Sequence, residues 1–333
     1  MSLDGKVSAS HSIFLPPAIA PRRKNQIPSG LALSEENKTL YVCGNLANQL
    51  LEIDLKSNKV IREFEVGVAP YDVVLHNGKA YVSNWAGRQP LPGDIIGPAG
   101  RGTVVKVDPE THIANEGSIS VIDLNSGLTK DILVHLHSSA LALLPNGRYL
   151  VCANAASDNI SVIDTHTDMV VETIWVKANP SDLFGASPNA FCFFPDGKNL
   201  FAANGTQNAV AVINFDPDDK KSSLLGLIPV EWFPGAITFD AVDQMLYVAN
   251  IKGHPVEPKE YQPTGSVGFN THHYFGSISI VPTPSKNELV KLTKAVYANY
   301  PKERIVKAFE EARPNQPPVP YRRGSENPVF LNM

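Results

Sequence analysis

Five asparagines recur at the ends of similar apolar segments, and their spacing could build a binding site. Segments such as LYVCGN, YVSN and LYVAN end at Asn45, Asn84, Asn154, Asn204 and Asn250. An asparagine at the end of a strand can hydrogen-bond its own backbone and begin the loop. Alternatively, the five amides form a ring that faces a central opening and binds a polar ligand. The sequence leaves both interpretations open.

A second group of candidate binding residues lies in the long segment that follows Asn84. The group consists of Trp85, Arg88, Asp94 and Arg101. A tryptophan and arginines at the base of a loop can anchor a protein partner or an anion. The same side chains can instead pin the loop through their own ion pairs, so this role also stays a hypothesis.

Three histidines in a later loop are the remaining candidate ligands. His272 and His273 are adjacent, and His254 precedes them. Adjacent side chains on an extended segment point in opposite directions, so the pair is poorly placed to bind one metal ion. No cysteine or carboxylate stands beside them at ligand spacing. We therefore predict no metal site and no cofactor.

No catalytic residue can be assigned from motifs. The chain has neither G-x-S-x-G nor H-E-x-x-H. The glycine-rich stretch GPAGRG, at 97–102, is not followed by Lys-Ser/Thr as a phosphate-binding loop requires. Whether the chain is an enzyme stays open, and we do not expect catalysis by this chain alone.

The elements that position these residues come from an internal repeat. Five copies of one pattern fill residues 28–282, each with short apolar strands in period-2 alternation. Turns such as Asn77-Gly78, Asn146-Gly147 and Asp196-Gly197 are typical of hairpins. One four-stranded sheet cannot bury both faces by itself, whereas radially arranged sheets can. The predicted fold is therefore all-β, a β-propeller of four-stranded antiparallel blades.

Insertions and chain ends extend this repeat. The Asn84–Asp123 interval is about 30 residues longer than its equivalents, and a second insertion of about 20 residues follows Asn250. Both lie between the second and third strands of a blade, so we expect them on one face. We assign 1–27 to an orphan strand and its connection, 283–313 to a short helical tail, and 314–333 to a Pro-rich linker toward another domain.

Composition limits the possible partners. The chain has 333 residues, and 29 Lys and Arg against 33 Asp and Glu give a net charge of −4, without the basic excess of a nucleic-acid-binding protein. No apolar run is long enough for a membrane span. Cys43, Cys152 and Cys192 lie in apolar stretches and are expected to be buried thiols.

The repeats resemble a known family. LYVCGN, AYVSN, LYVAN and SISVIDL are similar to the YVTN-type β-propeller repeats of extracytoplasmic and surface-layer proteins. The closer resemblance is to the propeller half of bifunctional proteins that carry an alkaline-phosphatase-family phosphoesterase domain. The segments that carry this resemblance are Tyr81–Asp94, Val105–Leu124, Asp182–Ala190 and Gly268–Val281.

The resemblance implies a seven-bladed ring, of which five repeats are visible here. It also implies an extracytoplasmic location, periplasmic or cell-surface, and a C-terminal phosphoesterase domain or a cell-envelope partner. We therefore expect a non-catalytic accessory or interaction module of a phosphoesterase-type protein. A free-standing surface-layer-like binding protein and a lactonase-like propeller hydrolase are the alternatives. A ring of five blades, closed by residues 6–15 as the missing strand, also stays open.

Overall fold

The structure is a computed structural model that describes residues 12–18, 23–99, 103–177, 185–253 and 275–299. These residues form twenty-one β-strands and one α-helix. All but two of the strands belong to five antiparallel sheets, which follow one another along the chain as blades 1 to 5.

Blades 1 to 4 have four strands each, and blade 5 has three among the described residues. Blade 1 contains β1 (Pro28–Ser34), β2 (Thr39–Gly44), β3 (Gln49–Asp54) and β4 (Lys59–Glu65). Blade 2 contains β5 (Pro70–His76), β6 (Lys79–Asn84), β9 (Gly117–Asp123) and β10 (Thr129–Val134), with a hairpin of β7 (Ile96–Pro98) and β8 (Val104–Lys106) inserted between β6 and β9. Blade 3 contains β11 (Ser138–Leu143), β12 (Tyr149–Asn154), β13 (Asn159–Asp164) and β14 (Met169–Trp175). Blade 4 contains β15 (Pro188–Phe193), β16 (Asn199–Asn204), β17 (Ala209–Asn214) and β18 (Ser223–Pro229). Blade 5 contains β19 (Pro234–Asp240), β20 (Met245–Asn250) and β21 (Ser277–Pro282).

Apolar residues lie on both faces of these strands, because a blade that packs between two neighbours buries both of its faces. In β9, Ile119 and Val121 join the apolar cluster shared with blade 3, whereas Ile122 joins the cluster shared with blade 1. The β5–β6 turn has the predicted hairpin geometry, with φ of 47° at Asn77 and 71° at Gly78.

The blades are arranged around a central cavity. Their first strands pack in the order β1, β5, β11, β15 and β19, and residues of all five strands line that cavity. This is the predicted β-propeller architecture, with the first strand of each blade innermost.

The outward faces of blades 1 and 5 remain partly exposed. Leu31 and Leu33 on β1 are 60% and 53% exposed, and Ile278 and Ile280 on β21 are 68% and 57% exposed. Ile13 and Leu15 pack against the outward face of blade 1, but residues 12–15 form no strand. The rest of the predicted orphan strand lies outside the described residues.

The predicted helical tail begins as helix α1 (Lys286–Ala298). Ser285 and Glu288 form a capping box, which satisfies free backbone N–H groups at the helix start. The helix lies against β18, where Gly226 leaves room for Leu289 and Thr293. A Cβ atom at Gly226 would come within 2.6 Å of Thr293 Oγ1. The rest of the predicted helical tail, from residue 300 onward, and the linker lie outside the described residues. No described helix is both long and apolar enough to cross a membrane.

Candidate functional site

The insertion-bearing face is the side of the propeller where each first strand begins and each second strand ends. Pairs such as Pro70 with Asn84 and Pro188 with Asn204 mark this side in the sheets. The described residues 85–99 and 103–116, called the insertion arm, lie on this side between β6 and β9. The second predicted insertion follows β20 on the same side, and most of it lies outside the described residues.

Ion pairs anchor the insertion arm. Arg88 Nη1 donates to Asp94 Oδ2 at 2.9 Å, and Arg88 Nε lies 3.0 Å from Glu116 Oε1 in an ion pair without hydrogen-bond geometry. Lys106 Nζ donates to the other carboxylate oxygen of Glu116 at 2.7 Å. The hydrogen bond from Arg88 lowers the pKa of Asp94. Glu116 is buried and joins two cations, so it is the centre of this network.

Backbone and apolar contacts also hold the arm to the blades. Gln89 Nε2 donates to Val66 O at 3.0 Å, and Val68 N donates to Gly87 O at 2.7 Å. Val68 packs with Val105 and Val107 in a small apolar cluster. The arm is therefore fixed to the connection between blades 1 and 2.

The arm exposes several large aliphatic side chains despite this anchoring. Five large aliphatic side chains are between 43% and 64% exposed: Leu91, Ile95, Ile96, Val104 and Ile113. Single exposed aliphatic residues are common, but several on one segment are typical of an interaction surface. These five residues are called the arm surface.

A stack of three rings stands beside the arm. Trp85 lies between Tyr71 and His137, with ring-centroid distances of 5.5 Å and 4.7 Å. Trp85 and His137 also line a pocket of about 300 Å³ with Asn45, His112 and the β7–β8 hairpin. The stack thus fixes one wall of a small, half-apolar pocket under the arm.

Protonation of His137 is expected to destabilise the protein. Burial lowers the pKa of this imidazole below its ordinary 6.5, so the unfolded chain takes up the proton first as the pH falls. The free energy of unfolding should therefore decrease as the pH falls from about 6.5 to the lower pKa that His137 has in the folded protein. Below that pKa, His137 causes no further change.

Urea unfolding between pH 5 and 8 tests this expectation against the variant His137→Phe, which keeps an aromatic ring in the stack. The variant should lose less stability at low pH than the wild type. Because His76 also has a lowered pKa and is present in both proteins, the difference between the curves isolates His137. Identical pH dependence in the two proteins would contradict the assignment.

A second cavity, of about 460 Å³, lies at the centre of the propeller. The first strand of every blade has a register irregularity within three residues of its start. Such bulges bend a strand and re-aim its side chains. In blade 2 this places Tyr71 and Asp72 on the cavity wall. Tyr71 therefore joins the central cavity to the ring stack under the arm.

The predicted asparagine ring has a clear structural role. Asn84, Asn154, Asn204 and Asn250 are buried, and none of them lines the central cavity. Each donates from Nδ2 within its own blade or the adjoining loop, as Asn84 does to Ser118 and Ser120 at 3.0 Å. The Oδ1 atoms of these four have no partner. Asn45 instead lines the pocket under the arm, and a binding role for the five stays a prediction.

Four candidate residues lie outside the described part of the chain: Arg101, His254, His272 and His273. The described residues contain no group of three or more His, Cys, Asp or Glu side chains that could hold a metal ion. Arg88 and Asp94 come together in the arm, as described above, and Trp85 lies beside them in the ring stack.

Motif reasoning missed Asp72, Tyr71, His137 and Glu116. One signal for Asp72 was present, because the equivalent residues of the other first strands are Gly30, Ala140, Ala190 and Ala236. An aspartate among four small residues indicates that this position has a role in blade 2 that it does not have in the other blades. The ring stack had no such signal, since its members come from three distant segments.

Fold and site together define a β-propeller protein with an elaborated face. A protein-family model described as "Lactonase, 7-bladed beta-propeller" matches residues 141–282, from β11 to the end of β21. Comparison with curated proteins gave no match.

Solved structures agree on the fold. The RRP9 WD40 repeats superpose with a TM-score of 0.51 at 11% identity, covering 78% of this chain and 68% of that chain. The structure of U3-55K gives a TM-score of 0.50 at 11% identity, and the superposition covers 79% of this chain and 68% of that chain. A functionally unknown protein from Desulfotomaculum acetoxidans DSM 771 gives a TM-score of 0.49 at 15% identity. The superposition covers 68% of this chain, and this chain spans 63% of the length of that protein. The two likenesses with TM-scores of at least 0.50 show the fold alone.

Proposed function

We propose that the chain is a non-catalytic interaction module that binds a protein domain through the arm surface. The supporting observation is the combination of firm anchoring with exposed aliphatic side chains. A pre-ordered surface loses little conformational entropy on binding, so its buried apolar area contributes more fully to affinity. A loop with only a structural role would have no need to expose Ile96 and Ile113.

The partner proposed for this surface is a phosphoesterase-type domain outside the cytoplasm. The resemblance of Tyr81–Asp94 and Val105–Leu124 to bifunctional propeller proteins supports this choice, because both segments lie within or beside the arm. The propeller would then dock the catalytic domain or shape access to it.

Charged substitutions on the arm surface should weaken binding of that domain. The variants Ile96→Asp and Val104→Asp would place a carboxylate in a contact that excludes water, and each should lower affinity by about tenfold or more. Isothermal titration calorimetry with the phosphoesterase domain of a bifunctional propeller protein measures this effect.

The matched control is Val242→Asp, a fully open position at the β19–β20 turn on the opposite side of the propeller. It should leave affinity unchanged. If the arm variants bind as tightly as the wild type, or if the domain does not bind the wild-type chain, the proposal is wrong.

Lactone hydrolysis is the second candidate function, favoured by the family model that matches residues 141–282. It requires turnover by this chain alone, with acid–base groups at the central cavity. Asp72 is the one ionisable carboxyl that lines that cavity among the described residues. Hydrolysis of simple lactones by the wild type and its loss in Asp72→Asn would favour this candidate over the first.

A further inference from the structure

The central cavity has one acidic position in a ring of small residues. Two residues after the start of each first strand stand Gly30, Asp72, Ala140, Ala190 and Ala236, and all five line the cavity. Asp72 is thus the only one of the five with a side chain larger than a methyl group. The cavity is therefore asymmetric in charge, although the repeat that builds it is regular.

The backbone holds the Asp72 carboxylate in place. Val73 N donates to Oδ1 at 2.8 Å, and Leu141 N, on the next blade, donates to Oδ2 at 2.9 Å. Each carboxylate oxygen can accept a further hydrogen bond. Burial raises the pKa of the carboxyl, and the two N–H donors oppose this shift. Asp72 is thus a fixed, partly desolvated acceptor.

Other polar groups of the cavity include acceptors. Asn189 Oδ1 has no hydrogen-bond partner, but it is too deeply buried to be reached from the cavity. Ser29 Oγ donates to Pro70 O at 2.8 Å, which leaves its oxygen able to accept. No lysine or arginine lines the cavity among the described residues. Tyr71 also lines the wall, and aromatic rings favour cations.

We propose that this cavity binds an alkylammonium group, which donates an N–H bond to Asp72. The ammonium supplies three donors and one positive charge, which complements the single carboxylate of the cavity. A volume of about 460 Å³ accommodates a short aliphatic chain. The site goes beyond the proposed function, because it lies apart from the arm surface.

Two kinds of molecule carry an alkylammonium group of this size: a small free amine and a protein with a lysine side chain. Calorimetric titration of the whole chain at low salt separates them with two probes, n-butylammonium and a capped lysine tripeptide. Either probe should bind with 1:1 stoichiometry, and the tighter one identifies the source. The same tripeptide with norleucine in place of lysine should not bind.

Two variants test the role of the carboxylate. Asp72→Asn should lower affinity at least about tenfold, because a charge-assisted bond is lost. Ala236→Lys leaves Asp72 intact but places an ammonium in the same ring, and it should abolish binding by occupying the site. The matched control Asp243→Asn removes an exposed carboxylate at the β19–β20 turn and should change nothing.

Three results would overturn the proposal. They are failure of both ammonium probes to bind at millimolar concentration, unchanged binding in Asp72→Asn, and tetramethylammonium binding as tightly as n-butylammonium. The last result would show that N–H donation is not used. Domain binding through the arm surface should persist in Asp72→Asn, so failure here leaves the proposed function standing.

Discussion

Replacing Asp168 with alanine is expected to lower the free energy of unfolding by about 3 kcal/mol. Asp168 lies in the β13–β14 turn of blade 3, with its side chain 3% exposed. Its carboxylate accepts from Lys79 Nζ and Tyr81 Oη on blade 2, both at 2.6 Å. Lys130 Nζ, also on blade 2, lies 2.9 Å away. The Asp168 carboxylate therefore links blade 3 to blade 2.

The cost arises mainly from the groups left behind. Tyr81 is fully buried, and its hydroxyl loses its short hydrogen bond when the carboxylate is removed. Lys79 and Lys130 are partly exposed and can turn toward water, which moderates the loss. Burial raises the pKa of Asp168, but the bonds from Lys79 and Tyr81 outweigh it and lower the pKa overall. The contacts of Asp168 with blade 2 therefore weaken as the pH falls through the lowered pKa of this carboxyl.

Urea denaturation at neutral pH measures the effect, with Asp219→Ala as the matched control. Asp219 pairs with Lys221 at 3.0 Å, but its side chain is 63% exposed, so its removal should cost less than about 0.5 kcal/mol. Equal stabilities for the two variants would show that Asp168 does not hold the blades together.

Replacing Glu116 with alanine is expected to release the insertion arm. Arg88 and Lys106 lose their shared, buried partner, and we expect a cost of about 2 kcal/mol. The loss should be local, since both cations belong to the arm. Amide hydrogen exchange in β7 and β8 should therefore accelerate by about tenfold or more, with little change in blades 3 and 4.

The release should also weaken domain binding, because a loosened arm must be ordered again in the complex. Glu110→Ala is the matched control, since Glu110 is an exposed carboxylate of the same arm. It should change neither hydrogen exchange nor affinity. If Glu116→Ala leaves exchange in β7 and β8 at the wild-type rate, the ion pairs do not anchor the arm.

Local patterns predicted the fold well because each blade is built from neighbouring residues. Alternation and turn pairs such as Asn77-Gly78 identified the strands. The central cavity was harder to predict, since its wall takes two or three residues from each of five strands. Only a comparison of repeats, position by position, distinguishes Asp72 from Ala140, Ala190 and Ala236.

The anchoring of the arm depends on contacts that sequence spacing does not specify. Arg88 and Asp94 are near neighbours, and their pairing in the loop could be suspected from sequence. Glu116 closes the network from the far end of the arm, and its distance from Arg88 in sequence gives no sign of this. The stack of Tyr71, Trp85 and His137 likewise depends on how two blades meet.

The most direct test is hydrogen exchange of the wild-type chain, alone and mixed with the phosphoesterase domain of a bifunctional propeller protein. If the arm surface is the contact, amides of residues 91–99 and 103–113 become protected in the mixture, while those of blades 3 to 5 are unchanged. A complex that protects other residues and leaves the arm exposed would contradict the proposed function.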